Sequence, residues 1–265
     1  MTRRFSAIVL ALVVIAAAVP ALAGFSSAQL GAISADPAPG AALPPTLGFT
    51  DQNGRALTLA AALAGAPDVV IFADYTCHTL CGPILEFAAA GLSKTGLRPG
   101  ADFHVIVIGL DPKDGLDAAR AMKAAHFDAA DPIGQTAIFL TGTQSAVGAA
   151  TAALGYHYRY DPEHDQFAHP AAAYVTDAQG RVRRVLSGLG LDSADLRLAL
   201  VDAGRGAIGT LGDQIRLLCY GYDPVRGVYT ERITFILELA AGVSVAILAG
   251  GVLAMHAREW RKAPS

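Results

Sequence analysis

The sequence predicts an α/β domain: a central mixed sheet with helices on both faces. Two observations carry this. Short apolar runs, such as Val69 to Ala73 and the strand in "DFHVIVIGLDP", alternate with helix-patterned segments, and interleaved helices imply parallel crossovers. Near the end of the domain, "AAAYVTDAQGRVRRVL" has the pattern of a hairpin, which adds an antiparallel edge.

Taken in order, residues 24–45 are rich in Ala and Pro and read as a flexible lead-in. "LGFTDQNGRALTLAAL" reads as a hairpin turning at Asn53-Gly54, followed by a short helix. Pro67-Asp68 precedes the first central strand, which ends in "DYTCHTLCGPILEFAAAGL", with helical character from Gly82. "DFHVIVIGLDP" is the second central strand and "DGLDAARAMKAAHF" a helix. "TAIFLTG" is a shorter strand and "TQSAVGAATAALG" a further helix. The hairpin turns at Asp177 to Gly180, and "DSADLRLALVDAG" is the last helix of the domain. Residues 46–204 form the domain on this reading, and 205–232 link it to the apolar C-terminal segment.

The apolar excess, 53% of residues against 16% charged, is concentrated at the two ends. Arg3 and Arg4 precede an apolar run from Ala7 to Val19, then Pro20 and Ala21-Leu22-Ala23, a small-x-small cleavage pattern. Residues 1–23 read as an export signal. Ile233 to Met255 would reach roughly 34 Å as a helix, enough for a bilayer core of about 30 Å. Its acid, Glu238, lies near one end. The tail 256–265 carries Arg258, Arg261 and Lys262 against Glu259, with Trp260 as an interface residue. Both ends imply one topology: a single C-terminal span, the domain outside and the tail in the cytoplasm.

The net charge is −3. Five basic residues lie in the end segments against two acids, so the exported part is more acidic than the whole. This argues against a nucleic-acid partner held through phosphates. Three cysteines exclude a disulfide-stapled miniature domain.

Cys77 and Cys81 are separated by three residues at the end of the first central strand. If a helix begins near Cys77, the two thiols lie one turn apart on one face. The free N–H groups there favour thiolates, and Pro83 suits a first turn. Adjacent thiolates favour either a disulfide or a soft cation. This placement makes a thioredoxin-like sheet the best candidate fold. His169 stands just before the hairpin strand, between Phe167 and Pro170, where such a sheet borders the Cys loop. An imidazole there would complete a two-thiolate, one-nitrogen set suited to copper or zinc. His78 is an accessory candidate. His104 and His126 read as packing or surface residues, and His157 and His164 fall in a polar loop. Cys219, outside the domain, is either a buried apolar residue or an extra thiol.

"VVIFADYTCHTLCGPIL", "VIVIGLDPKD", "FLTG" and "FAHPAAAYVTDAQGRVRRVLSGL" together resemble the SCO1/SenC family of copper-binding cytochrome c oxidase assembly factors, over about residues 45–204. The resemblance implies a thioredoxin-like, membrane-tethered protein. It implies that Cys77, Cys81 and His169 bind copper, as Cu(I) or Cu(II). It also implies a client: the dicopper centre of oxidase subunit II, or another periplasmic copper or thiol protein. The sequence departs from the family where His78 replaces a proline after the first cysteine. Gly82 displaces the second proline, and Ala168 replaces an acid before the histidine.

Two functions are therefore expected to compete. One is a copper metallochaperone rather than a turnover enzyme. The other is a thiol–disulfide oxidoreductase in which Cys77 attacks a client disulfide and Cys81 resolves it.

Overall fold

The structure, a computed structural model, describes residues 33–63, 65–77, 81–162, 165–188, 191–205, 208–210, 212–214, 217, 220–223, 228–231, 238 and 241–251. For Cys81, 220–223 and 228–231 it describes only the backbone. The expected export signal, His78, His164, Cys219 and the tail lie outside the described residues.

In chain order the elements are β1 (Ser34–Ala35), β2 (Gly48–Asp51), β3 (Ala56–Thr58), α1 (Leu59–Leu63), β4 (Asp68–Ala73), α2 (Cys81–Ser93) and β5 (His104–Gly109). Next come α3 (Leu116–His126), α4 (Pro132–Thr136), β6 (Ile138–Thr141) and α5 (Gln144–Ala153). The remaining elements are β7 (Tyr156–His157), β8 (Arg159–Asp161), β9 (Gln166–Ala168), β10 (Ala172–Thr176), β11 (Val182–Ser187), α6 (Ser193–Ala203), β12 (Tyr220–Asp223) and β13 (Val228–Glu231).

Seven strands form the main sheet in the order β11-β10-β4-β5-β6-β2-β3. The central β4, β5 and β6 run parallel, and the flanking pairs are antiparallel. Every residue of β4 is buried, as a strand covered on both faces requires. Its side chains alternate between two cores. Val69, Ile71 and Ala73 pack with Leu85 and Leu92 of α2, Met122 of α3 and Leu196 and Leu200 of α6. Val70 and Phe72 face Leu59 and Leu63 of α1 and Val147 and Ala150 of α5. The mixed α/β sheet with helices on both faces is thus the observed architecture.

The expected turns follow their local chemistry. Asp51 Oδ1 accepts from the N–H groups of Asn53 and Arg55, with Gly54 at φ +85°. Asp177 Oδ1 accepts from Gln179 and Arg181 in the β10–β11 turn. Thr143 and Asp192 cap α5 and α6 with their side-chain oxygens.

Three expectations differ from the structure. Part of the expected lead-in is structured: β1 pairs with β7, Ala42 bridges to Arg181, and Leu43 is 1% exposed in the core. Leu43 and the backbone pairing give this Pro-rich stretch partners that composition does not reveal. The polar segment after α5 forms β7 and an arm, β8–β9. Finally, α2 starts at Cys81, beside the expected Gly82, so the placement of both thiols on one helical face, conditional on a helix beginning near Cys77, does not hold.

The expected span is only partly described. Residues 241–251 are helical and exposed. No helix among the described residues is long and apolar enough to cross a membrane. Residues 233–237, 239–240 and 252–255 lie outside them.

Candidate functional site

The topology gathers the predicted residues at one end of the sheet. β4 exits towards Asp74 and Cys77, and the parallel β5 exits towards Asp111 and Asp114. β10 runs antiparallel to β4, pairing Ala173 with Ile71 and Thr176 with Asp68. The chain leading into β10, which carries His169, therefore arrives beside the exit of β4.

Asp74 builds the turn that presents Cys77. It is fully buried. Its Oδ1 accepts from the Thr76 N–H at 3.1 Å and the Thr76 hydroxyl at 3.0 Å, and the Cys77 N–H donates to its backbone carbonyl at 3.3 Å. Such side-chain-to-backbone bonds compete with helix, which is why α2 does not extend back to Cys77. Asp74 Oδ2 reaches the other partner: it accepts from the Phe167 N–H at 2.9 Å, two residues before His169.

Tyr75 anchors the same turn from below. Its hydroxyl lies 3.0 Å from the Val107 carbonyl and 2.9 Å from the Leu140 carbonyl, tying β4's exit to β5 and β6. Burial pushes its phenol well above the ordinary range. Its ring lies over Gly109, where an added Cβ would come within 2.8 Å of it. The Tyr75 N–H donates to Asp114 Oδ2 at 3.1 Å. Burial first, then the neighbouring Asp74, raises the Asp114 carboxyl to about 6.

Cys77 and His169 are both half-buried. Burial lowers the His169 imidazole below its ordinary value, while the Pro170 carbonyl, Cys77 and Asp74 act in the opposite direction. The neutral ring that results is the form that ligates metals. A thiol and a neutral imidazole suit a soft or borderline cation. The Cys81 side chain lies outside the described residues. Among the described residues, no group of three His, Cys, Asp or Glu side chains is arranged to hold a metal.

Of the other predicted histidines, His104 and His157 sit apart from this end, whereas the His126 ring lies against Gly82, where an added Cβ would come within 2.5 Å of it. His126 Nδ1 is 3.0 Å from Glu86 Oε1 between α3 and α2. His104 faces the buried Asp68 at 3.4 Å, at the opposite end of β4 and β5. His157 is exposed on β7. Sequence reasoning missed Asp74, Tyr75, Asp114 and Tyr156. "LDPKD" is visible as a block, but nothing local shows that its second acid reaches the Cys turn.

The family model for SCO1/SenC matches residues 36–197. Among solved structures, the chain is similar to a putative electron transfer protein from Aquifex aeolicus VF5, at 22% identity and TM-score 0.55, covering 63% of this chain and 95% of that one. It is also similar to a SCO1/SenC family lipoprotein from Bacillus anthracis, at 22% identity and TM-score 0.53, covering 63% and 96%. A third is Arabidopsis thaliana ScoI with copper bound, at 18% identity and TM-score 0.51, covering 63% and 99%. At these identities the structural likeness establishes the fold. No curated protein sequence matches the chain. The family match spans more than half of the sequence and coincides with the domain that holds Cys77 and His169, so the chain belongs to the SCO1/SenC family.

Proposed function

We propose that this protein is a periplasmic, membrane-tethered copper metallochaperone that binds copper through Cys77, Cys81 and His169. Its client is the dicopper centre of cytochrome c oxidase subunit II. The observation that carries the reading is the Asp74 bridge, which fastens the Cys77 turn to the His169 segment through a bond of 2.9 Å. Copper binding by Arabidopsis thaliana ScoI supports the choice of metal.

Copper is the cargo here. Cys77 and Cys81 supply soft sulfur donors, and His169 adds the nitrogen that improves the hold on Cu(II). The buried Asp74 and Asp114 place carboxyl groups behind the turn, which favours cation arrival. A client thiolate displaces one protein ligand at a time, so the cargo moves by ligand exchange with no net redox change. If the pair instead reduces a client disulfide, two electrons and two protons pass to the client, and Cys77 and Cys81 close into a disulfide.

The tether is proposed at 233–255, with 1–23 as export signal, 205–232 as linker and 256–265 as cytoplasmic tail. The exposed apolar side chains Val243, Val245, Ile247 and Leu248 on helical backbone support it, because lipid would cover them. The likeness to a Bacillus anthracis lipoprotein of the family supports membrane attachment in general.

The test is equilibrium copper titration of the reduced full-length protein. One copper per chain is expected, with weaker Cu(I) and Cu(II) binding in Cys77→Ser and Cys81→Ser and a larger loss for Cu(II) in His169→Ala. Disulfide reductase activity with no stoichiometric copper would favour the oxidoreductase instead.

A further inference from the structure

We infer that Tyr156 is the positioning residue for His169: it fixes the ring's tautomer and so selects Nε2 as the nitrogen that meets copper. The inference rests on the copper reading above and goes beyond it, because it names what takes the place of the acid missing at Ala168.

Tyr156 stands on β7 and is 2% exposed. Its ring is wedged against Phe72, with centroids 4.6 Å apart, and against Tyr174 at 6.1 Å. Its backbone is paired with Ala35 of β1. The hydroxyl is therefore a fixed point rather than a swinging one. It lies 2.8 Å from His169 Nδ1 and 3.0 Å from the Pro170 carbonyl oxygen. Nδ1 itself lies 3.1 Å from that same carbonyl.

The Pro170 carbonyl accepts from the Ala172 N–H at 3.1 Å and also meets both the hydroxyl and Nδ1. The carbonyl oxygen can only accept. A lone pair on Nδ1 would face it at 3.1 Å, an acceptor against an acceptor. The arrangement is satisfied when Nδ1 carries its proton and donates it, while the Tyr156 hydroxyl accepts from Nδ1 and donates to Pro170. A neutral imidazole protonated at Nδ1 has its lone pair at Nε2. Metal-bound histidines depend on a partner at the other ring nitrogen for this orientation, and losing that partner typically weakens metal binding by about 10–100-fold. Here the partner comes from β7, across the arm from β8 to β9, rather than from the residue preceding the histidine.

Tyr156→Phe removes the hydroxyl and keeps the packed ring. In the copper-free, reduced full-length protein, the ¹⁵N shifts of His169 should show the proton on Nδ1. In Tyr156→Phe, Cu(II) affinity should fall about 10–100-fold, and the thiolate-to-Cu(II) charge-transfer band should shift. Cu(I) affinity, dominated by sulfur, should change less. A proton found on Nε2 in the parent overturns the inference, and this arm does not depend on how the variant folds. So does unchanged Cu(II) affinity and spectrum in Tyr156→Phe when His169→Ala loses both. If His169→Ala also leaves copper binding unchanged, the copper reading beneath the inference falls with it.

Discussion

Asp74 Oδ2 accepts the backbone N–H of Phe167 at 2.9 Å, joining residues 93 apart in the sequence. Through this bond the turn carrying Cys77 and the segment carrying His169 become one structure. Asp74→Ala should therefore act at two levels. It removes the acceptor shared by the Thr76 and Phe167 donors, which are only partly buried, at a cost of about 1–2 kcal/mol by urea unfolding. It should also weaken Cu(II) binding more than Cu(I), because the histidine side of the site is released. Equal loss for both ions would assign Asp74 to the Cys turn alone.

Lys113 offers a contrast. It lies 3.2 Å from Asp165 and 5.3 Å over the Tyr160 ring, so it too ties the arm to the loop after β5. Lys113 and Asp165 are largely exposed, and such pairs contribute about 0–1 kcal/mol. Lys113→Ala should shift the urea midpoint slightly, and the shift should vanish at high salt.

Gly109 admits the Tyr75 ring. Gly109→Ala would place a Cβ 2.8 Å from it, so the ring must move and carry the Cys turn with it. Overpacking of this kind costs about 1–3 kcal/mol. The expected result is a lower melting temperature together with reduced copper affinity. Gly148, whose added Cβ meets nothing within 4 Å, provides the control: Gly148→Ala should leave copper binding unchanged.

Asp68 is fully buried, with His104 Nδ1 3.4 Å from its carboxyl. Burial raises the Asp68 carboxyl from 3.8 to about 7, and the facing carboxyl raises His104. A group whose folded value lies above its unfolded value contributes stability at low pH and loses it as pH rises through the folded value. Unfolding free energy should therefore fall from about pH 4 to about pH 7, by roughly 2–4 kcal/mol. Asp114, raised to about 6, adds a contribution of the same sign. Asp68→Asn should flatten this fall. A parent stability that rises across the same interval would contradict this expectation.

The sheet and its helices were legible because their signals are local. Val69 to Ala73 is an uninterrupted apolar run, Gly54 and Gly180 mark turns with positive φ, and Asp192 caps a helix from the adjoining position. His169 was legible from its place before a strand. What was hidden depends on contacts between distant segments. Nothing near Tyr156 announces that its hydroxyl meets His169, and nothing near Asp74 announces Phe167. Spacing alone leaves open a helix beginning near Cys77, but the Asp74 bonds to Thr76 hold a turn there instead. The Ser34-Ala35 strand is obscured by the nearby prolines, because pairing with β7 is not written in composition.

The central claim is that two thiolates and one imidazole hold a single copper. X-ray absorption at the copper edge of the loaded, reduced full-length protein tests it most directly. The expected spectrum shows sulfur scattering from two thiolates plus one nitrogen with imidazole multiple scattering. The nitrogen signal should be lost in His169→Ala, and one sulfur should be lost in Cys77→Ser. A copper shell of nitrogen and oxygen alone, or a spectrum unchanged in both variants, would contradict it.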